Sequence, residues 1–165
     1  MGLSSREYSK EKTIDIINEV LNQFMENDII LLDIGANERT ISHKIACYLD
    51  KKFENLDVDC EYNRDINNIK NISGICNNFN HVLPDIIVHK RLEDFNHLVI
   101  EIKKDASEYD KKRDIQKLNC LKKKFNYNFA LFISFDAEKQ NPEITWDFDR
   151  EFDELLDINC FDDEL

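Results

Sequence analysis

Two apolar stretches of strand length, residues 98–103 and 129–135, flank a stretch at 108–125 in which Ile115, Leu118, Leu121 and Phe125 recur at helical spacing. Further strand patterns occur at 58–64, 85–90 and, more weakly, 144–148. Helical patterns occupy 7–26, with Ile14, Ile17, Val20, Leu21 and Phe24 on one face, and a second segment that Asn37 caps and that runs to about residue 53. The apolar run 29–32 fits a strand or a helix equally well. Residues 65–82 are Asn-rich and read as a loop. The order α, α, β, β, β, α, β, β predicts an α/β (α+β) chain in which helices pack on a mixed sheet.

The 165 residues suit one domain. No run approaches 18 consecutive apolar residues, so no membrane span is expected. The N-terminus lacks the apolar core of a secretory signal. The five cysteines include no C-x-x-C pair, which fits reduced thiols in a cytoplasmic protein. Net charge is −12, but unevenly spread. Residues 147–165 hold nine acids and one base, whereas 88–124 hold eleven of the 22 Lys and Arg against seven acids. That asymmetry predicts a basic working surface and an acidic tail. We therefore divide the chain into a domain at 1–149 and a tail at 150–165.

Chemistry-bearing side chains cluster in the middle of the sequence. Along 98–103 alternation puts Glu101 and Lys103 on one side of a strand and Ile100 and Ile102 on the other. Alone, that pattern describes a solvated strand face. Pro84 and Asp85 open the preceding strand. In an antiparallel hairpin the start of one strand lies opposite the end of the next, so Asp85 can meet Glu101 and Lys103. Carboxylate oxygens are the ligands Mg²⁺ prefers, and Lys103 would offset their repulsion. Glu38 falls on the inward stripe of its helix with Ile41 and Ile45. Either the helix dipole favours an acid in that first turn, or Glu38 reaches the same cation. Asp114 and Lys111 fall in the stripe sector of the later helix. They would pair with each other at i, i+3, or Asp114 would support the site. His89 would share a strand face with Asp85, His43 would be exposed, and His81 and His97 read as loop or strand-edge residues. Tyr62 and Arg64 would share a face of the 58–64 strand.

The series Asn37-Glu38-Arg39-Thr40, Val58-Asp59-Cys60-Glu61-Tyr62-Asn63-Arg64, Pro84-Asp85-Ile86-Ile87-Val88-His89 and Val99-Ile100-Glu101-Ile102-Lys103-Lys104 resembles the PD-(D/E)xK nuclease superfamily. The resemblance covers about residues 35–136. It implies the restriction-endonuclease-like fold, a mixed sheet core flanked by helices, here with an extra N-terminal helix and the acidic tail. It also implies a metal-dependent endonuclease hydrolysing phosphodiester bonds, in DNA rather than RNA. Asp85, Glu101 and the backbone carbonyl of Ile102 would hold Mg²⁺, for which Mn²⁺ would substitute, with Glu38 a further candidate ligand. Glu38, Asp85, Glu101 and Lys103 would form the catalytic set, Lys103 orienting the attacking water. Lys112, Arg113 and Lys117, with Lys104 and Arg64, are candidate nucleic-acid contacts. Small nucleases that cut both strands supply the analogy for a homodimer.

One alternative is a catalytically silent module on the same fold, recruited to a larger nucleic-acid-processing or defence complex. The tail would be its protein-docking element, because Phe148, Phe152, Leu155, Leu156 and Phe161 sit among the acids. An acidic mimic of DNA ranks last, since the acids concentrate in the tail rather than over one face.

Overall fold

The computed structural model describes residues 8–65, 68–69 and 83–157. Three helices come first, α1 (Lys10–Asn27), the short α2 (Ile30–Asp33) and α3 (Glu38–Asp50). Strands β1 (Asp57–Cys60), β2 (Arg64–Asp65), β3 (Asn68–Ile69), β4 (Ile86–His89) and β5 (Asn96–Lys104) follow. The chain continues through α4 (Glu108–Phe125), β6 (Phe129–Phe135), β7 (Glu143–Trp146) and α5 (Arg150–Asp157). A five-stranded mixed sheet of order β1-β4-β5-β6-β7 forms the centre. Among the described strands only β5 and β6 pair in parallel, and α4 is their crossover. β2 and β3 pair separately; residues 66–67 and 70–82 of the expected loop, His81 among them, lie outside the described residues.

Local chemistry sets the helix ends. Ser9 and Asn37 accept hydrogen bonds from the backbone N–H groups of Lys12 and Thr40, capping α1 and α3. Ser107 and Asp110 form a reciprocal capping box on α4, and Asn126 ends that helix in the left-handed region at φ 52°. Gly35 turns the chain between α2 and α3 at φ +68°, where a side chain would be strained. The two faces of the sheet carry separate cores. Ile86, Val88, Leu98, Ile100, Ile102, Leu131 and Ile133 pack with α1 and α3. Ile87, Val99, Ala130 and Phe132 pack with α4 and α5.

Several expectations change. The run 29–32 resolves as helix, in α2. The first strand stops at Cys60, because Glu61 takes φ 48° and its N–H donates to the Asp85 carbonyl, so Tyr62 and Arg64 share no strand. Tyr62 instead packs edge-on against His89. A register shift after Val88 and a 2.8 Å contact with Asp59 hold His89 at the end of β4 remote from Asp85. His97 lies inside β5, 1% exposed, touching Thr13 and ringed by Tyr8, Phe53, Phe95 and Phe129. Cys47 and Cys60 are free thiols, and Cys120 packs in the α4-side core. His43 is exposed, as expected.

The start of the expected tail is structured. Residues 150–157 form α5, whose Phe152 and Leu155 are 2% and 7% exposed in the α4-side core. Lys111 pairs with Glu151 of this helix, not with Asp114. Removing residues 150–165 would therefore strip core side chains. Leu155→Ala is expected to cost about 2 kcal/mol, measured as a lower urea midpoint at unchanged slope. No described helix is long and apolar enough to cross a membrane.

Candidate functional site

The β4–β5 pairing builds the site. Ile86 lies opposite Ile100, so Asp85 at the mouth of β4 sits beside the Glu101–Ile102 step. The Ile102 N–H donates to Asp85 Oδ2 at 2.7 Å, fixing that carboxylate to the neighbouring strand. Glu101 and Lys103 alternate with the inward Ile100 and Ile102 and therefore face α4. From α4, Lys117 Nζ comes within 2.8 Å of Glu101 Oε1, and Asp114 Oδ2 lies 3.9 Å from Lys103 Nζ. From the first residue of α3, Glu38 Oε2 accepts from Lys103 Nζ at 3.4 Å while its Oε1 accepts from the Lys104 N–H at 3.1 Å.

The cluster has a mouth and a floor. Side chains of Glu38 and Lys103 are 37% and 32% exposed, whereas those of Asp114 and Glu101 are 11% and 3% exposed. Burial governs the floor. It pushes Glu101 up to about 8, with Asp85 and Asp114 adding to the rise and Lys117 opposing it. Burial likewise raises Asp85, against the Ile102 N–H and the two lysines, and raises Asp114, against Lys103 and Lys117. For Lys103, burial pulls downward, but Asp114, Glu38 and Asp85 together hold the ammonium above its ordinary value.

The structure thus gathers Glu38, Asp85, Glu101 and Lys103 in one place. It adds Asp114 and Lys117 to them. Lys117, expected on a phosphate-contacting surface, is inside, where it also donates to the Leu83 carbonyl at 3.2 Å. The available signal was its place at the edge of the α4 stripe, three residues beyond Asp114. Lys104 is turned to the Ala36 carbonyl at 2.9 Å. Arg64 and Arg113 are exposed and Lys112 is half-buried. The basic segment is largely spent internally: Lys90, Arg91, Lys103, Lys111, Lys117 and Lys122 all pair with acids.

No protein-family model, curated protein or solved structure matches this chain. Among the described residues, no three His, Cys, Asp or Glu side chains form a ready-made metal cage. Two atoms nevertheless fit a hard cation. Glu101 Oε1 and Asp114 Oδ2 are buried carboxylate oxygens without a hydrogen bond, the Lys117 approach to Glu101 being close but off-angle. A buried acceptor left without a hydrogen bond, as Asp114 Oδ2 is, is costly, and carboxylate oxygens suit Mg²⁺ or Mn²⁺.

Proposed function

We propose that this chain is a metal-dependent phosphodiesterase, an endonuclease acting on DNA, built on a restriction-endonuclease-like sheet. The observation that supports it is the convergence of Asp85, Glu101, Lys103 and Glu38 from three separate parts of the chain, around buried carboxylate oxygens that lack hydrogen bonds. Asp85, Glu101 and the backbone carbonyl of Ile102 would hold the Mg²⁺ ion, with Glu38 a further candidate. A divalent ion bound there lowers the pKa of water and offsets phosphate charge. Lys103, held between Glu38 at the mouth and Asp114 on the floor, orients the attacking water and meets negative charge as the P–O bond breaks. Lys112 and Arg113, which form no ion pair among the described residues, remain on α4 to meet a phosphate backbone.

One observation favours the catalytically silent module instead: Lys117 already sits against Glu101, as in a self-neutralised ion pair. Calorimetric Mn²⁺ titration of the full chain and of Glu101→Gln separates the two readings. Both proteins carry the same acidic tail, so its weak cation binding cancels. The hydrolase reading expects a saturable site in the wild type that Glu101→Gln lacks. No saturable site in either protein would favour the binding module.

A further inference from the structure

With every group ionised, Glu38, Asp85, Glu101 and Asp114 against Lys103 and Lys117 leave the cluster at −2, the charge one divalent cation balances. Lys117 occupies the centre of that balance. Its Nζ touches Glu101 Oε1 at 2.8 Å and donates to the Leu83 carbonyl at 3.2 Å, tying β5 to the segment that enters β4 through Pro84 and Asp85. Its charge bears on all three floor carboxylates, Asp85, Glu101 and Asp114. Yet the ammonium leaves them incompletely satisfied. Glu101 Oε1 receives no well-angled hydrogen bond, and Asp114 Oδ2, on a residue 8% exposed, receives none. A lysine ammonium is a compact point charge on a flexible stem, and the Lys117 side chain is 18% exposed. It can swing towards solvent with the backbone of α4 unmoved.

We propose that Lys117 is a built-in competitor for the metal: its ammonium, against Glu101, takes the place of the cation at that carboxylate, and a divalent ion loads by displacing it. The inference rests on the hydrolase reading above and adds to it the group that sets metal affinity. The metal-free site is thereby kept closed to weakly bound cations. Two like charges cannot share the position, because their repulsion in a partly buried site far exceeds that in water.

The test uses the full chain with Mn²⁺ as probe. Lys117→Gln and Lys117→Met are expected to bind Mn²⁺ at least about tenfold more tightly than the wild type, at the same stoichiometry, and to lose that binding when combined with Glu101→Gln. Lys117→Arg keeps the charge and should show no gain. Neutral variants that fold and bind no more tightly would overturn the competitor role while leaving the metal site standing. Absence of saturable Mn²⁺ binding from the wild type and the Lys117 variants alike would instead overturn the hydrolase reading, and this inference with it. Removing the partner of a buried carboxylate can itself unfold a protein, so a second measurement uses the wild type alone. Acetylation of Lys117, followed by mass spectrometry with Lys112 as internal reference, should rise severalfold when Mn²⁺ is added. An unchanged ratio at saturating Mn²⁺ would show that the ammonium stays in place, and would sink the proposal.

Discussion

Lys103→Ala is expected to slow DNA cleavage by about 10²- to 10⁴-fold, the range typical of losing a positioned proton-transfer or charge-stabilising group, without weakening Mn²⁺ binding. The split follows from the geometry. Lys103 Nζ contacts Glu38 and Asp114, not Asp85 or Glu101, the two carboxylates assigned to the ion. Its removal takes a positive charge from the mouth of the site and leaves Asp85 on the Ile102 N–H and Glu101 against Lys117. Lys103→Arg should rescue little, because a planar fork cannot take the place of a compact ammonium between two carboxylates. The measurement is single-turnover cleavage of a supercoiled plasmid in Mg²⁺, beside Mn²⁺ titration of the same samples. A variant that cuts at the wild-type rate would exclude Lys103 from the chemistry. A variant that loses Mn²⁺ binding along with cleavage would make Lys103 a structural support of the metal site.

The extent to which this site was legible in the sequence follows the range of the interactions involved. The bounds of α4 and β6 were readable to the residue because their signals are local: Ser107 and Asn126 close the helix, and an unbroken apolar run makes the strand. The meeting of Asp85 with Glu101 was readable because antiparallel register dictates it. Charge partners were not. Lys111 reaches Glu151, forty residues away, in preference to the neighbouring Asp114, and Lys117 turns inward from the edge of its stripe. Long side chains choose partners by tertiary proximity, which spacing along one helix does not encode. Counting bases over 88–124 overstated the exposed positive surface for the same reason. Acids dominate the composition of 150–157 and give it the look of a tail, yet Phe152 and Leu155 fall one turn apart and find the open side of α4.

The second large effect is on stability, and it isolates the buried glutamate. In metal-free buffer the wild type is expected to lose roughly 2 kcal/mol between pH 6.5 and 8, and Glu101→Gln to lose almost none. The sign follows from proton binding. Glu101 is held at about 8 in the folded chain against an ordinary 4.5, so the folded state keeps a proton that the unfolded state has released. Stability therefore falls as pH rises through that interval and levels off above it. His97 acts in the opposite sense: burial lowers it to about 4 from 6.5, so its contribution grows as pH rises from 4 to 6.5 and is complete beyond. The two oppose each other on the acid side, and from 6.5 to 8 the glutamate acts without that compensation. Thermal melts at half-unit pH steps read the slope, about 2–4 °C in melting temperature per kcal/mol for a chain of this size. A sloping wild type beside a flat Glu101→Gln would mean that the fold pays to keep this carboxylate buried, a cost that a bound divalent ion would offset. A flat wild type would mean that Lys117 neutralises Glu101 in full, leaving a settled internal ion pair, and the binding-module reading would then be the stronger one.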